Sequence, residues 1–155
     1  MKIERRQTVQ VLVDADACPV KELIVRAARQ RGVPVTMLID TSHELNDGYS
    51  LVLTVDKGKD SVDIALANLV KPGDLVVTQD YGVAAMALGH GAKALNQNGL
   101  IYTQENMDRL LFERYLSQKV RRSGGKAGKN RKRSKADDEE FMRSFLILLD
   151  GKNNG

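Results

Sequence analysis

The sequence predicts an α/β domain built on a mainly parallel sheet, and three observations lead there. Short β-branched apolar runs recur along the chain, segments of helical spacing separate them, and Gly, Pro, Asn and Asp punctuate the junctions. Alternation of this kind specifies βαβ units, whose right-handed crossovers return each strand parallel to the one before.

The first strand is the run Thr8 to Val13, which stops at Asp14-Ala15-Asp16-Ala17-Cys18-Pro19. Pro19 suits the first turn of a helix, where its missing N–H costs nothing. Leu23, Ile24, Ala27 and Ala28 then recur at helical spacing until Gly32 and Pro34 close the element. Val35 to Ile39 is the second strand, ending at Asp40, and Thr41 to Ser50 reads as a loop turning at Asn46-Asp47-Gly48. Leu51 to Val55 is the third strand and again meets an acid, Asp56. Asp60-Ser61-Val62-Asp63 opens a helix over Ile64 to Leu69, with its acids placed where the macrodipole favours them. After the turn Lys71-Pro72-Gly73-Asp74 comes the fourth strand, Leu75 to Thr78, followed by Gln79-Asp80-Tyr81-Gly82. Val83 to Leu88 is a close-packing helix, Ala92 to Leu95 a fifth strand, and Gln104 to Val120 a longer amphipathic helix.

Three segments follow from this walk: an α/β domain over residues 1–120, a basic linker over 121–136, and an amphipathic helix over 137–150. The linker is Gly-, Lys- and Arg-rich without apolar periodicity, which predicts mobility. The last helix starts with Asp137-Asp138-Glu139-Glu140 and carries Phe141, Phe145, Leu148 and Leu149 on one face. Too short to persist alone in water, it must dock on its own domain or on a second copy in a homodimer.

A chain of 155 residues is long enough for a buried core, and its 42% hydrophobic and 28% charged residues argue against wholesale disorder. One cysteine excludes an internal disulfide, and no Cys/His cluster has zinc spacing. With no signal peptide and no bilayer-length apolar stretch, a cytoplasmic protein without a membrane partner is expected. The net charge of +4 is uneven, with acids between Asp14 and Asp80 and a basic arm from Arg114 to Lys135. An acidic centre beside a basic arm suggests a polyanion meeting a metal; a solubilising tail is the plainer explanation of the arm.

The placement of the aspartates carries the chemistry. Asp14 ends the first strand, Asp63 lies on the helix after the third, and Asp80 follows the fourth. Ligands of open α/β sheets collect beyond the carboxyl ends of strands, near the switch in strand order. If strands one and four are neighbours, Asp14 and Asp80 emerge side by side. Clustered carboxylates repel unless protonated or bridged by a cation, and hard oxygen ligands suit Mg²⁺ or Mn²⁺. Any one of these acids can be explained as a turn residue or N-cap. Together, Asp14, Asp63 and Asp80 are the expected metal ligands and catalytic residues. Asp16 joins them as a further ligand, and Asp60 supports them or caps its helix. Thr78 is positioned to orient a carboxylate or a water, though a β-branched residue is also ordinary in a strand. Asp74 precedes its strand and belongs at the opposite end of the sheet. Cys18 is expected as a packed residue; His43 and His90 have no partner at ligand spacing; Lys21, Lys57 and Lys59 can meet phosphate or solvent. Nucleic acid is the expected partner of Lys119, Arg121, Arg122, Lys126, Lys129, Arg131, Lys132, Arg133 and Lys135. Without interleaved aromatics, that arm would bind phosphates with no sequence preference.

Val13 to Lys21, Asp60 to Asp63 and Gly73 to Gly82 resemble the YaiI/YqxD family of bacterial proteins over nearly the whole chain. The resemblance implies a Rossmann-like three-layer fold of the PIN-like group, which includes metal-dependent ribonucleases, and by analogy a Mg²⁺ or Mn²⁺ site. Asp14, Asp63 and Thr78-Gln79-Asp80 match the three acidic positions of PIN-like enzymes. The Asp14-Ala15-Asp16 doublet and Cys18-Pro19 depart from that pattern, and fold analogy alone does not fix a reaction.

Three functions follow. The first is a metal-dependent nuclease acting on RNA in preference to DNA. The second is a phosphatase, because Asp14-Ala15-Asp16 resembles the Asp-x-Asp opening of the haloacid dehalogenase superfamily, with Asp14 as nucleophile and Asp16 as general acid. Its expected Gly-Asp pair after the later strand is missing, since Gly73-Asp74 comes before it. The third is a noncatalytic RNA-binding or assembly module on the same scaffold.

Overall fold

The structure, a computed structural model, describes residues 9–40, 44–56, 61–122 and 132–151. Its elements run β1 (Val11–Asp14), α1 (Lys21–Gln30), β2 (Val35–Asp40), β3 (Leu51–Val55) and α2 (Ser61–Leu69), then β4 (Leu75–Val77), α3 (Tyr81–Gly89), β5 (Lys93–Leu95), α4 (Gln104–Arg122) and α5 (Lys135–Asp150). The strands form one sheet in the order β3-β2-β1-β4-β5, with every pairing parallel. β1 is therefore flanked by β2 and β4, and the strand order reverses between β1 and β4. The register sets Val13 beside Met37 on one side and Val77 on the other, so the carboxyl ends of β1 and β4 lie level.

Period-two alternation divides the strands between two cores. Val11, Val13, Met37 and Val77 face one layer, where Ile24 and Ala28 of α1 meet Phe141, Phe145 and Leu149 of α5. Leu12, Leu38, Val76 and Ala94 face the other, against Leu66 of α2, Val83 and Ala87 of α3, and Met107 and Leu110 of α4. The result is a Rossmann-like arrangement of three layers, as the sequence predicts.

The boundaries differ where caps decide them. Helix α1 starts at Lys21 behind Val20, with no side-chain cap, so Pro19 precedes the first turn rather than occupying it. Helix α3 starts at Tyr81 because Asp80 caps it. Helix α5 starts at Lys135, where Ser134 and Asp137 form a reciprocal capping box. With α4 reaching Arg122, the linker expected over 121–136 gives up residues to helices at both ends. Its centre lies outside the described residues.

Asp74 lies at the amino edge of the sheet, as expected. Buried there, it accepts hydrogen bonds from the Gln10 N–H, the Gln10 side chain and the Lys71 N–H, which tie the entry of β1 to that of β4. Among the described residues, no helix is long and apolar enough to cross a membrane.

Candidate active site at the switch point of the sheet

At the carboxyl ends of β1 and β4 an open cleft of about 680 Å³ is lined by Asp14, Asp16, Gln79, Asp80, Tyr81, Glu113, Arg114 and Ser117. Asp14 enters it as the last residue of β1. Its Oδ2 accepts a 2.9 Å hydrogen bond from Thr78 Oγ1, and Thr78 is only 2% exposed. The same hydroxyl oxygen accepts the Asp80 N–H at 3.0 Å. One buried threonine thus orients the first carboxylate and positions the backbone of the third. Behind it, the buried Tyr102 hydroxyl donates to the Thr78 carbonyl at 3.1 Å. Burial, followed by the nearby Tyr81 and Asp80, keeps that phenol protonated well above its ordinary range.

Asp80 Oδ1 accepts the Gly82 and Val83 N–H groups at 2.8 and 3.1 Å, so this acid is both an N-cap and a wall of the cleft. The cap fixes the carboxylate without consuming Oδ2. Asp16 lies on the loop after β1, where its Oδ2 accepts the Asp40 N–H at 3.1 Å. That loop is held in an unusual shape. Ala17 adopts φ 63°, a left-handed conformation uncommon for a residue with a Cβ. Gln79 Nε2 grips the Ala17 carbonyl at 3.1 Å, and Lys21 Nζ reaches the Ala15 and Cys18 carbonyls at 3.3 and 2.9 Å. Lys21, a candidate for phosphate, is thereby turned onto the loop.

Electrostatics follow from this crowding. Burial raises the Asp14 pKa, the Thr78 hydrogen bond opposes the rise, and the carboxylates of Asp80, Asp16 and Asp63 add to it. Asp63 acts on Asp14 through its field from the first turn of α2 and is not among the residues lining the cleft. Cys18 is buried, and desolvation raises its thiol pKa, which disfavours the thiolate that a nucleophile requires.

The chemistry of the donor set suits a hard cation. Asp14, Asp16 and Asp80 share one cleft, and their mutual repulsion is of the kind a cation relieves. Among the described residues, no group of three or more His, Cys, Asp or Glu is placed to grip an ion jointly. A cation bound here would meet one or two carboxylates, with waters completing its shell.

Several expected residues fall elsewhere. Asp60, Lys57, Lys59, His43, Lys126, Lys129 and Arg131 lie outside the described residues, and Arg121 and Arg122 end α4. Lys132 and Lys135 are exposed, and Lys119 Nζ sits 5.7 Å above the Tyr115 ring. Arg133 makes structural contacts that its place in a charge run does not announce. Its guanidinium bonds Asp138 Oδ1, Asn98 Oδ1 and the Gln97 carbonyl at 2.7 to 2.8 Å, clamping the start of α5 to the turn after β5. Partners 35 residues away cannot be read from a charge run. Conversely, sequence reasoning missed Arg114, whose guanidinium lies 5.8 Å from the Tyr81 ring centre at the cleft, and Gln79, Tyr102 and Glu113. The docking of α4 puts Glu113 and Arg114 at the cleft, and local spacing does not encode it.

A family described as "Uncharacterized BCR, YaiI/YqxD family" matches residues 12–151. The chain is similar to a UPF0178 protein of Ruminiclostridium cellulolyticum, 64% identical over 147 residues, covering 95% of this chain and 96% of that one. A UPF0178 protein of Clostridium kluyveri is 50% identical, covering 93% and 95%, and one of Exiguobacterium sibiricum is 42% identical, covering 94% and 100%. No solved structure matches.

Proposed function

The chain belongs to the YaiI/YqxD family, and we propose that it hydrolyses phosphodiester bonds with Mg²⁺ or Mn²⁺, in RNA before DNA. The observation that carries this reading is the half-buried Asp14, oriented by the buried Thr78, beside Asp16 and Asp80 at the switch point of the sheet. Asp14 and Asp80 would hold the ion with waters completing its shell, while Asp16 and Asp63 contribute negative potential from the loop after β1 and from α2. A bound divalent ion supplies Lewis-acid stabilisation and a nucleophile at neutral pH. Thr78 keeps the Asp14 carboxylate in one orientation and, through Asp80 N–H, keeps the third acid in register. Arg114 provides a cation on the wall of an otherwise acidic cleft, suited to a substrate phosphate. The exposed lysines, with the basic residues between α4 and α5, would add affinity without sequence preference.

Incubation of single-stranded RNA with Mn²⁺ tests the reading. Cleavage by the wild type, lost on adding EDTA and lost in a folded Asp14→Asn variant, is the expected result. An intact substrate across Mg²⁺ and Mn²⁺ would leave the scaffold as a noncatalytic binding module.

A further inference from the structure

We propose that the outer face of α4 is the interface of a dimer of this chain, packed antiparallel against α4 of a second copy. Met107 and Leu110 anchor the start of the helix in the domain core. Past Leu110 it carries Leu111, Phe112, Tyr115, Leu116 and Val120, all 40% to 58% exposed. They fall on two adjacent i, i+4 rows, Leu111 with Tyr115 and Phe112 with Leu116 and Val120, so they form one stripe. Phe112 and Tyr115 stack with ring centres 6.4 Å apart. Single exposed apolar residues are ordinary on a protein surface, whereas a contiguous stripe marks an interaction site.

Charge identifies the occupant. Glu105 and Asp108 are exposed near the start of α4, Lys119 is exposed near its end, and Arg121 and Arg122 follow in sequence. An antiparallel copy sets the acidic start of one helix against the basic end of the other and opposes the two macrodipoles. A parallel pairing would bring like charges together. The macrodipole favours the same charge distribution within a single helix, so charge sets the orientation and the apolar stripe supplies the attraction. Arg114 and Ser117, which line the acidic cleft, fall on the opposite side of the helix at 3.6 residues per turn, and Glu113 borders the stripe only at its Val120 edge, so pairing centred on Leu111, Phe112 and Tyr115 leaves the cleft open. A nucleic-acid strand stacked on Phe112 and Tyr115 would run on the side of α4 away from that cleft, which favours a second copy over nucleic acid. A 19-residue helix is about 28 Å long, and its single face is smaller than the roughly 800 Å² per partner of a standard interface. Association is therefore concentration-dependent.

Sedimentation equilibrium of the full chain from low to high micromolar concentration tests the proposal, which stands independently of the hydrolytic reading. The wild type is expected to approach twice the 17.1 kDa chain mass. Phe112→Glu with Leu116→Glu is expected to stay monomeric with unchanged helical circular dichroism. Asp108→Lys and Lys119→Asp should each weaken the dimer, and the two combined should restore it. A wild type monomeric throughout, or a dimer indifferent to the glutamates, overturns the proposal. So does a monomeric wild type whose affinity for single-stranded oligouridylate falls in the glutamate variant, because the face then serves nucleic acid.

Discussion

Burial and Thr78 pull the Asp14 carboxyl in opposite directions, and burial wins. A carboxyl whose pKa is raised on folding binds more protons in the native state than in the unfolded one. Its favourable contribution is complete below the unfolded value and is lost as pH rises through the raised native value. Metal-free Asp14→Asn is therefore expected to melt a few degrees above the wild type at neutral pH, with the gap closing under acid conditions. Asparagine preserves an oxygen to accept the Thr78 hydroxyl, so the substitution isolates charge. Thr78→Val keeps the β-branched shape but removes both hydrogen bonds of the hydroxyl, a loss of about 1–3 kcal/mol in denaturant melts, and Thr78→Ser should recover most of it. Cys18 is expected to react slowly with a disulfide reagent until denaturant exposes it.

At the scale of elements, α5 is tied to the sheet by apolar packing and by a close backbone approach. Phe145 is fully buried against the β1 face of the core, and truncation to alanine should cost about 3–5 kcal/mol. Gly99 sits at φ 89°, and a Cβ there would meet the Glu140 carbonyl oxygen at 2.7 Å, while Ser144 Oγ donates to the Gly99 carbonyl at 2.7 Å. Gly99→Ala is accordingly expected to loosen α5 by more than about 1 kcal/mol, seen as faster amide exchange along that helix. These elements also mark what the sequence makes legible. Apolar runs such as Val35 to Ile39 locate strands because burial dictates their composition. The start of α5 was obscured because Ser134 and Asp137 stand inside a charge run, although their spacing is that of a capping box. The Arg133 clamp is illegible for a deeper reason: its partners Gln97 and Asn98 come near only after β5 and α5 have docked.

For the whole molecule, topology converts sequence positions into a site. Asp14 and Asp80 are far apart along the chain, and only the adjacency of β1 and β4 brings them to one cleft. That adjacency stood as a condition in the sequence reading, and the parallel register fulfils it. Asp63, expected together with those two, adds its field to Asp14 from α2 and is not among the residues lining the cleft. Arg114 is the counterpart: nothing in its local spacing announces that α4 will close over the strand ends. The fold therefore follows from local patterning, whereas the composition of the cleft depends on how helices cross the sheet. On the proposed reading this cleft holds a divalent ion through Asp14. Calorimetric titration of Mn²⁺ and Mg²⁺ into wild type and Asp14→Asn, each confirmed as folded by thermal melt, tests it most directly. Binding by the wild type that the variant loses, together with a metal-dependent rise in melting temperature for the wild type alone, is the predicted result. A well-folded wild type that takes up neither ion, or a variant that binds as well as the wild type, would contradict it.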